Sequence, residues 1–131
     1  MADPSREGGC LCGAIRYRIL GEPKSVNLCH CESCRRATGG PAVGFVDMPA
    51  GGFMWTKGEP AFYASSPGVR RGFCPTCGTA LTYEGDNLPG EMHVLSATLD
   101  DPSTWVPTAA FYNNERIAWL KIELPDPEGN S

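Results

Sequence analysis

Seven cysteines in 131 residues fall into three clusters, with none left alone: Cys10-Leu11-Cys12, Cys29-His30-Cys31-Glu32-Ser33-Cys34 and Cys74-Pro75-Thr76-Cys77. Thiols this close together on a bend can set two sulfurs on one ion, and two such pairs from distant parts of a chain close a tetrahedral zinc site. Gly13 follows the first cluster and Gly78 the third, whereas Arg35 follows the second. A knuckle that turns its N–H groups toward thiolates often needs positive φ just past the last ligand, which glycine adopts without steric cost. Cys10, Cys12, Cys74 and Cys77 are therefore read as one closed structural zinc site. It would pin the N-terminal strand to the middle of the chain and close a long loop.

Cys29, Cys31 and Cys34 remain, and they fill three corners of a tetrahedron. Three protein ligands with an open position is the catalytic zinc arrangement, so the expectation is two zinc ions per chain, one structural and one catalytic. Sulfur-rich tetrahedral sites accept iron as well. The open corner would take water or an incoming thiolate, with Arg35 and Arg36 favouring negative charge at its mouth. Arg35 and His30 are the candidate substrate contacts. His30 lies between two ligands, and because adjacent side chains diverge it reads as a supporting or solvent-facing group rather than a ligand. Rival readings are a ribbon joining Cys31/Cys34 to Cys74/Cys77, which strands three cysteines, and disulfides or plain buried thiols. His93, beside Met92 and Val94, reads as a structural strand histidine. Trp55, Trp105 and Trp119 read as core or rim packing, and Asp100-Asp101 as a turn.

The elements that must position these groups are short. Sixteen Gly and twelve Pro in one chain preclude long helices, and the length suits a single domain over residues 1–131, with a frayed tail from about residue 125. Ile15, Tyr17 and Ile19 alternate with Arg16 and Arg18, the period of a half-buried strand over Ala14–Leu20. Further strands are expected over Ala42–Met48, Gly52–Thr56, Pro60–Ala64, Val69–Phe73, Thr79–Glu84, Met92–Ala97 and Ala118–Leu124. One short helix is expected over Glu32–Thr38, stopped by Gly39-Gly40. The fold class is therefore all-β. A net charge of −4 without a basic block argues against nucleic-acid partners. The start lacks an apolar leader and no apolar run is long enough to span a bilayer, so no membrane partner is expected and the reading is a reducing cytoplasm.

With these motifs in view, the sequence resembles the glutathione-dependent formaldehyde-activating enzyme and centromere-protein-V family. Gly9-Cys10-Leu11-Cys12-Gly13 with Tyr17 is similar to the family's opening motif. Cys29-His30-Cys31-Glu32-Ser33-Cys34-Arg35-Arg36 through Gly39 is similar to its second, and Phe73-Cys74-Pro75-Thr76-Cys77-Gly78-Thr79 to its third. The resemblance implies a β-tent fold like that of the Rab-exchange chaperones, a structural zinc on the first and third motifs, and a second zinc on the middle one. It also implies carbon–sulfur lyase chemistry, in which glutathione adds to formaldehyde and gives S-hydroxymethylglutathione. Carried over, Cys29, Cys31 and Cys34 hold the catalytic zinc, and the partner is a small thiol such as glutathione. Two departures from the family pattern stand out. Ala110 occupies the place, nine residues before Trp119, where many members carry histidine, and the chain lacks the extra segments of longer members. The alternatives to an enzyme are a non-catalytic zinc-stabilised module that binds a protein partner, or a thiol redox sensor.

Overall fold

The computed structural model describes residues 6–125, so the Asp126–Ser131 part of the expected tail lies outside the described residues. The fold is all-β, with one short helix. In chain order it comprises β1 (Arg6–Gly9), β2 (Arg16–Ile19), β3 (Ser25–Cys29), α1 (Glu32–Thr38), β4 (Val43–Pro49), β5 (Phe53–Lys57), β6 (Ala61–Ser66), β7 (Val69–Phe73), β8 (Ala80–Gly85), β9 (Glu91–Leu95) and β10 (Ala109–Phe111). Three strands form one sheet in the order β1-β2-β5. Seven form the other, β10-β3-β4-β9-β8-β7-β6, antiparallel except for the β10–β3 pair.

The apolar face of β2 turns inward as its alternation requires: Ile15, Tyr17 and Ile19 are buried while Arg18 is exposed. They pack with Val46 and Met48 of β4, Leu81 of β8 and Val94 of β9, so one core joins the two sheets. Phe53 stacks on Tyr17 and Trp55 meets it edge-on, extending the core along β5. The Tyr17 hydroxyl, carried to the bottom of this core, is satisfied by Thr98 Oγ1 at 2.7 Å. Gly8 leaves the room for it, since a Cβ there would collide with that hydroxyl and with the Thr98 carbonyl.

Because side chains alternate across a strand, the residues between these core positions face the other side of the large sheet. On β4, Phe45 and Asp47 point there. On β9, Glu91 and His93 do, flanking the core-facing Met92. That second face carries the chemistry.

Three strands depart from the sequence expectation and one expected strand is absent. β1, β3 and β10 form where no strand was expected, β3 burying the polar Asn27 between the apolar Val26 and Leu28. Ala118–Leu124, apolar at every second residue, forms no strand: a turn from Ile117 to Leu120 occupies it and Trp119 is exposed. Without a neighbouring strand to take its N–H and C=O groups, alternation alone does not make a ladder. Trp55 and Trp105 do pack against the core. Asp100 and Asp101 form the expected turn, Asp100 clamping Arg16 with both oxygens.

Candidate metal centre and thiol cleft

The first and third cysteine clusters fold as matching knuckles and meet. Gly13 donates to the Cys10 carbonyl at 3.2 Å and Gly78 to the Cys74 carbonyl at 2.8 Å, and both glycines take positive φ, 82° and 85°. The two knuckles are tied by Leu11 N–H donating to Thr79 Oγ1 at 3.1 Å. Each aims amides at sulfur: Ile15 N–H reaches Cys10 Sγ at 3.2 Å, and Thr76 and Cys77 N–H reach Cys74 Sγ at 3.3 and 3.4 Å. Such donors stabilise thiolate charge. The Thr79 hydroxyl holds the Cys77 thiol down to about 5.

The geometry suits a tetrahedral ion. Zinc–sulfur bonds of about 2.3 Å place neighbouring sulfurs about 3.8 Å apart. Cys10 and Cys12 Sγ are 3.7 Å apart and Cys12 and Cys74 Sγ 3.8 Å, with all four sulfurs within 4.8 Å of one another. These spacings are far beyond a disulfide bond of about 2.05 Å. Cys74 and Cys77 thus meet Cys10 and Cys12, and the rival ribbon with Cys31 and Cys34 does not form.

Cys29, Cys31 and Cys34 form the second group. Cys29 closes β3, Cys31 caps α1 and Cys34 lies in its first turn, with the Cys34 N–H donating to Cys31 Sγ at 3.3 Å. Gly39, left-handed at φ 79°, ends the helix within two turns. Cys29 donates to Cys34 at 3.7 Å, the same tetrahedral edge, and this bond holds the Cys34 thiol down to about 5 while pushing Cys29 up. Arg71 Nη1 also reaches Cys34 Sγ, at 3.7 Å. The three sulfurs lie within 4.8 Å of one another.

All three cysteines line a cleft of about 530 Å³ on the second face of the large sheet. A row of directly opposed residues crosses its floor: Asp47 of β4, His93 of β9, Tyr83 of β8 and Arg71 of β7. The Arg71 guanidinium lies 4.8 Å over the Tyr83 ring, and Tyr83 and Phe45 pack beside the thiols. At the far end His93 Nε2 is 2.8 Å from Glu91 Oε1, whose other oxygen accepts from Lys24 at 3.0 Å. Asp47 Oδ2 accepts from Asn27 at 3.0 Å. Its Oδ1, 3.3 Å from His93 Nδ1, lacks a properly aligned hydrogen bond.

Burial raises the Asp47 carboxyl above the ordinary aspartate range, against the opposing effects of His93 and Asn27. An acid raised on folding keeps its proton in the native state after the unfolded chain has lost it. Stability therefore falls as pH rises from the ordinary aspartate range to the raised value. Asp47→Asn is expected to gain stability relative to the parent across that interval and to hold the gain at neutral pH. Urea unfolding at stepped pH reads it, and a difference that shrinks with rising pH contradicts it.

The expected substrate contacts sit elsewhere. His30 points to the opposite face of the sheet, where it is buried beside a second cavity lined by Arg116 and Lys121. Strand alternation sends it away from Cys29 and Cys31. Arg35 does not line the cleft, and Arg36 pairs with Glu32 at 2.8 Å. The cation at the thiols is Arg71. His93, read from sequence as structural, lies on the cleft floor. Their neighbourhood comes from pairing between distant strands, and the only sequence signal was their place on alternating runs.

Comparison with known proteins brings these features together. Residues 5–115 match the family model of the glutathione-dependent formaldehyde-activating enzyme. An uncharacterized lyase of Schizosaccharomyces pombe is 36% identical over 86 residues, which cover 64% of this chain and 61% of that protein. A candidate glutathione-dependent formaldehyde-activating enzyme of Halomonas elongata is 28% identical over 127 residues, 89% of this chain and 80% of that one. A solved protein of Rhodobacter sphaeroides shares the fold, with a TM-score of 0.63 at 22% identity over 79% of this chain and 98% of that one. Among the described residues, no helix is long and apolar enough to cross a membrane.

Proposed function

The chain belongs to the glutathione-dependent formaldehyde-activating enzyme family, and on that premise we propose that it is a zinc-dependent carbon–sulfur lyase-type enzyme that joins a small thiol to formaldehyde. Cys10, Cys12, Cys74 and Cys77 hold the structural zinc, and Cys29, Cys31 and Cys34 the catalytic one, two ions per chain. The observation that carries the reading is the three-thiol group opening onto a walled cleft, in contrast to the closed four-thiol group.

The overall reaction takes a thiol and formaldehyde to a hydroxymethyl thioether: a C–S bond forms, the carbonyl π bond opens, and the thiol proton ends on the new hydroxyl. When bound, the zinc supplies Lewis-acid stabilisation of thiolate or oxyanion charge. The residues of the chain do the rest. Arg71, fixed over Tyr83, offsets negative charge at the Cys34 end. Phe45 and Tyr83 form an apolar wall beside the sulfurs. The transferred proton can rest on the pair of His93 and Glu91, whose Nε2 and Oε1 lie 2.8 Å apart. Formaldehyde already adds to thiols unaided, so holding the two together is the main demand.

Exchange spectroscopy by NMR on zinc-loaded protein, with formaldehyde and glutathione against protein-free buffer, tests the reading. Faster interconversion of free and hydroxymethylated thiol is expected. An unchanged exchange rate with every small thiol tried contradicts it.

A further inference from the structure

We propose that the cleft selects a thiol of net positive charge over a net-anionic thiol such as glutathione, an inference that rests on the thiol-binding reading above. Three carboxylates line the cleft, those of Asp47, Glu91 and Glu115, against one guanidinium, that of Arg71. That guanidinium is already engaged with Cys34 Sγ and the Tyr83 ring. Lys24 compensates Glu91 through Oε2, and His93 lies between Glu91 and Asp47. No second lysine or arginine lines the cleft among the described residues, so the two carboxylates of glutathione, which outnumber its one ammonium group, would find one cation between them. An ion held by three thiolates would itself carry a net negative charge, and it adds to the same field.

Two further observations point to a cation rather than to an unoccupied acidic patch. Asp47 lines the cleft at 7% exposure, its Oδ1 enclosed 3.3 Å from His93 Nδ1 without an aligned hydrogen bond. A buried carboxylate so placed favours positive charge brought nearby. Aromatic rings also wall the cleft: Phe45 and Tyr83 near the floor, and Phe111 and Tyr112 toward solvent. Carboxylates together with ring faces are the chemistry that receives an ammonium group. Glu115 is well placed to contribute, because only its Oε1 is committed, accepting the Glu32 N–H at 2.8 Å at the start of α1.

The test uses thiols that differ mainly in the charge of one terminal group: (2-mercaptoethyl)trimethylammonium, 2-mercaptoethanol and 3-mercaptopropionate, with glutathione alongside. The quaternary amine cannot condense with formaldehyde. For each thiol the formaldehyde exchange rate with zinc-loaded protein is divided by its own protein-free rate, which removes differences in intrinsic thiol reactivity. The expected order is ammonium, then hydroxyl, then carboxylate, with about tenfold between the extremes. The spread should narrow as salt is added. Glu115→Gln, which keeps an oxygen to accept the Glu32 N–H, should lower the ammonium-to-hydroxyl ratio, and Asp47→Asn should lower it further. Acceleration that is equal across the series, or greatest for 3-mercaptopropionate or glutathione, overturns the selectivity and leaves the enzyme reading intact. Acceleration of none of them overturns both.

Discussion

Cys74→Ser is expected to leave the chain without a cooperative folded state. Cys74 is fully buried, packs in the core that joins the two sheets, and receives the amides of Thr76 and Cys77 on its sulfur. It also bridges to Cys12, so its loss opens the contact between two knuckles 62 residues apart in sequence. A structural zinc site contributes on the order of 10–16 kcal/mol to folding. A domain of this size has a total stability of about 5–15 kcal/mol. Loss of most of the first quantity is comparable with the whole of the second. Circular dichroism should find no sigmoidal thermal transition in the variant, and strong chelator should reproduce that state in the parent. A variant that melts within a few degrees of the parent contradicts the structural role.

Cys31→Ser should do the reverse, sparing the fold and removing turnover. Cys31 is half-buried and belongs to a satellite cluster outside the main core. Its sulfur caps α1 by accepting the Cys34 N–H, a task that a serine hydroxyl performs well at a helix N-cap. What serine does not replace is one of the three thiols that converge at the proposed catalytic zinc site. Outer partners of metal ligands already cost about 10- to 100-fold when removed, so losing the ligand itself should cost about 100-fold or more in formaldehyde–thiol exchange. A melting temperature near the parent's alongside lost exchange is the expected pair of results. Parental exchange in the variant contradicts the role given to the trio.

Much of this arrangement could be read from the chain because it is local. α1 runs over Glu32–Thr38 as expected, since Cys31 at one end and Gly39 at the other specify its limits within a few residues. The grouping of the thiols into four and three followed from the glycines behind Cys12 and Cys77, both of which adopt the left-handed backbone anticipated for a knuckle. Alternation located β2 for the same reason: a strand with one buried face announces it every second residue.

What could not be read depends on pairing between distant segments. β3 buries Asn27, which becomes acceptable once Asp47 of the neighbouring strand accepts its amide. β10 is three residues long and exists as the parallel neighbour of β3. The Asp47–His93–Tyr83–Arg71 row draws on four strands, and a slip of one residue in any of them would turn its member into the core. Hence Arg35 and Arg36, adjacent to the thiols in sequence, looked like the cations of the site, while Arg71, 37 residues from Cys34, is the one whose guanidinium reaches sulfur.

Turnover followed against metal content tests the central claim most directly. Zinc-loaded protein would be titrated with a mild chelator, with native mass spectrometry counting the ions per chain and NMR exchange recording formaldehyde–thiol turnover on the same samples. The open trio should release its ion before the closed four-thiol group, and turnover should fall in step with that first ion while the one-zinc protein stays folded. Exchange that survives the loss of the first ion, or that disappears only when the second leaves and the chain unfolds, would contradict a reaction centre at Cys29, Cys31 and Cys34.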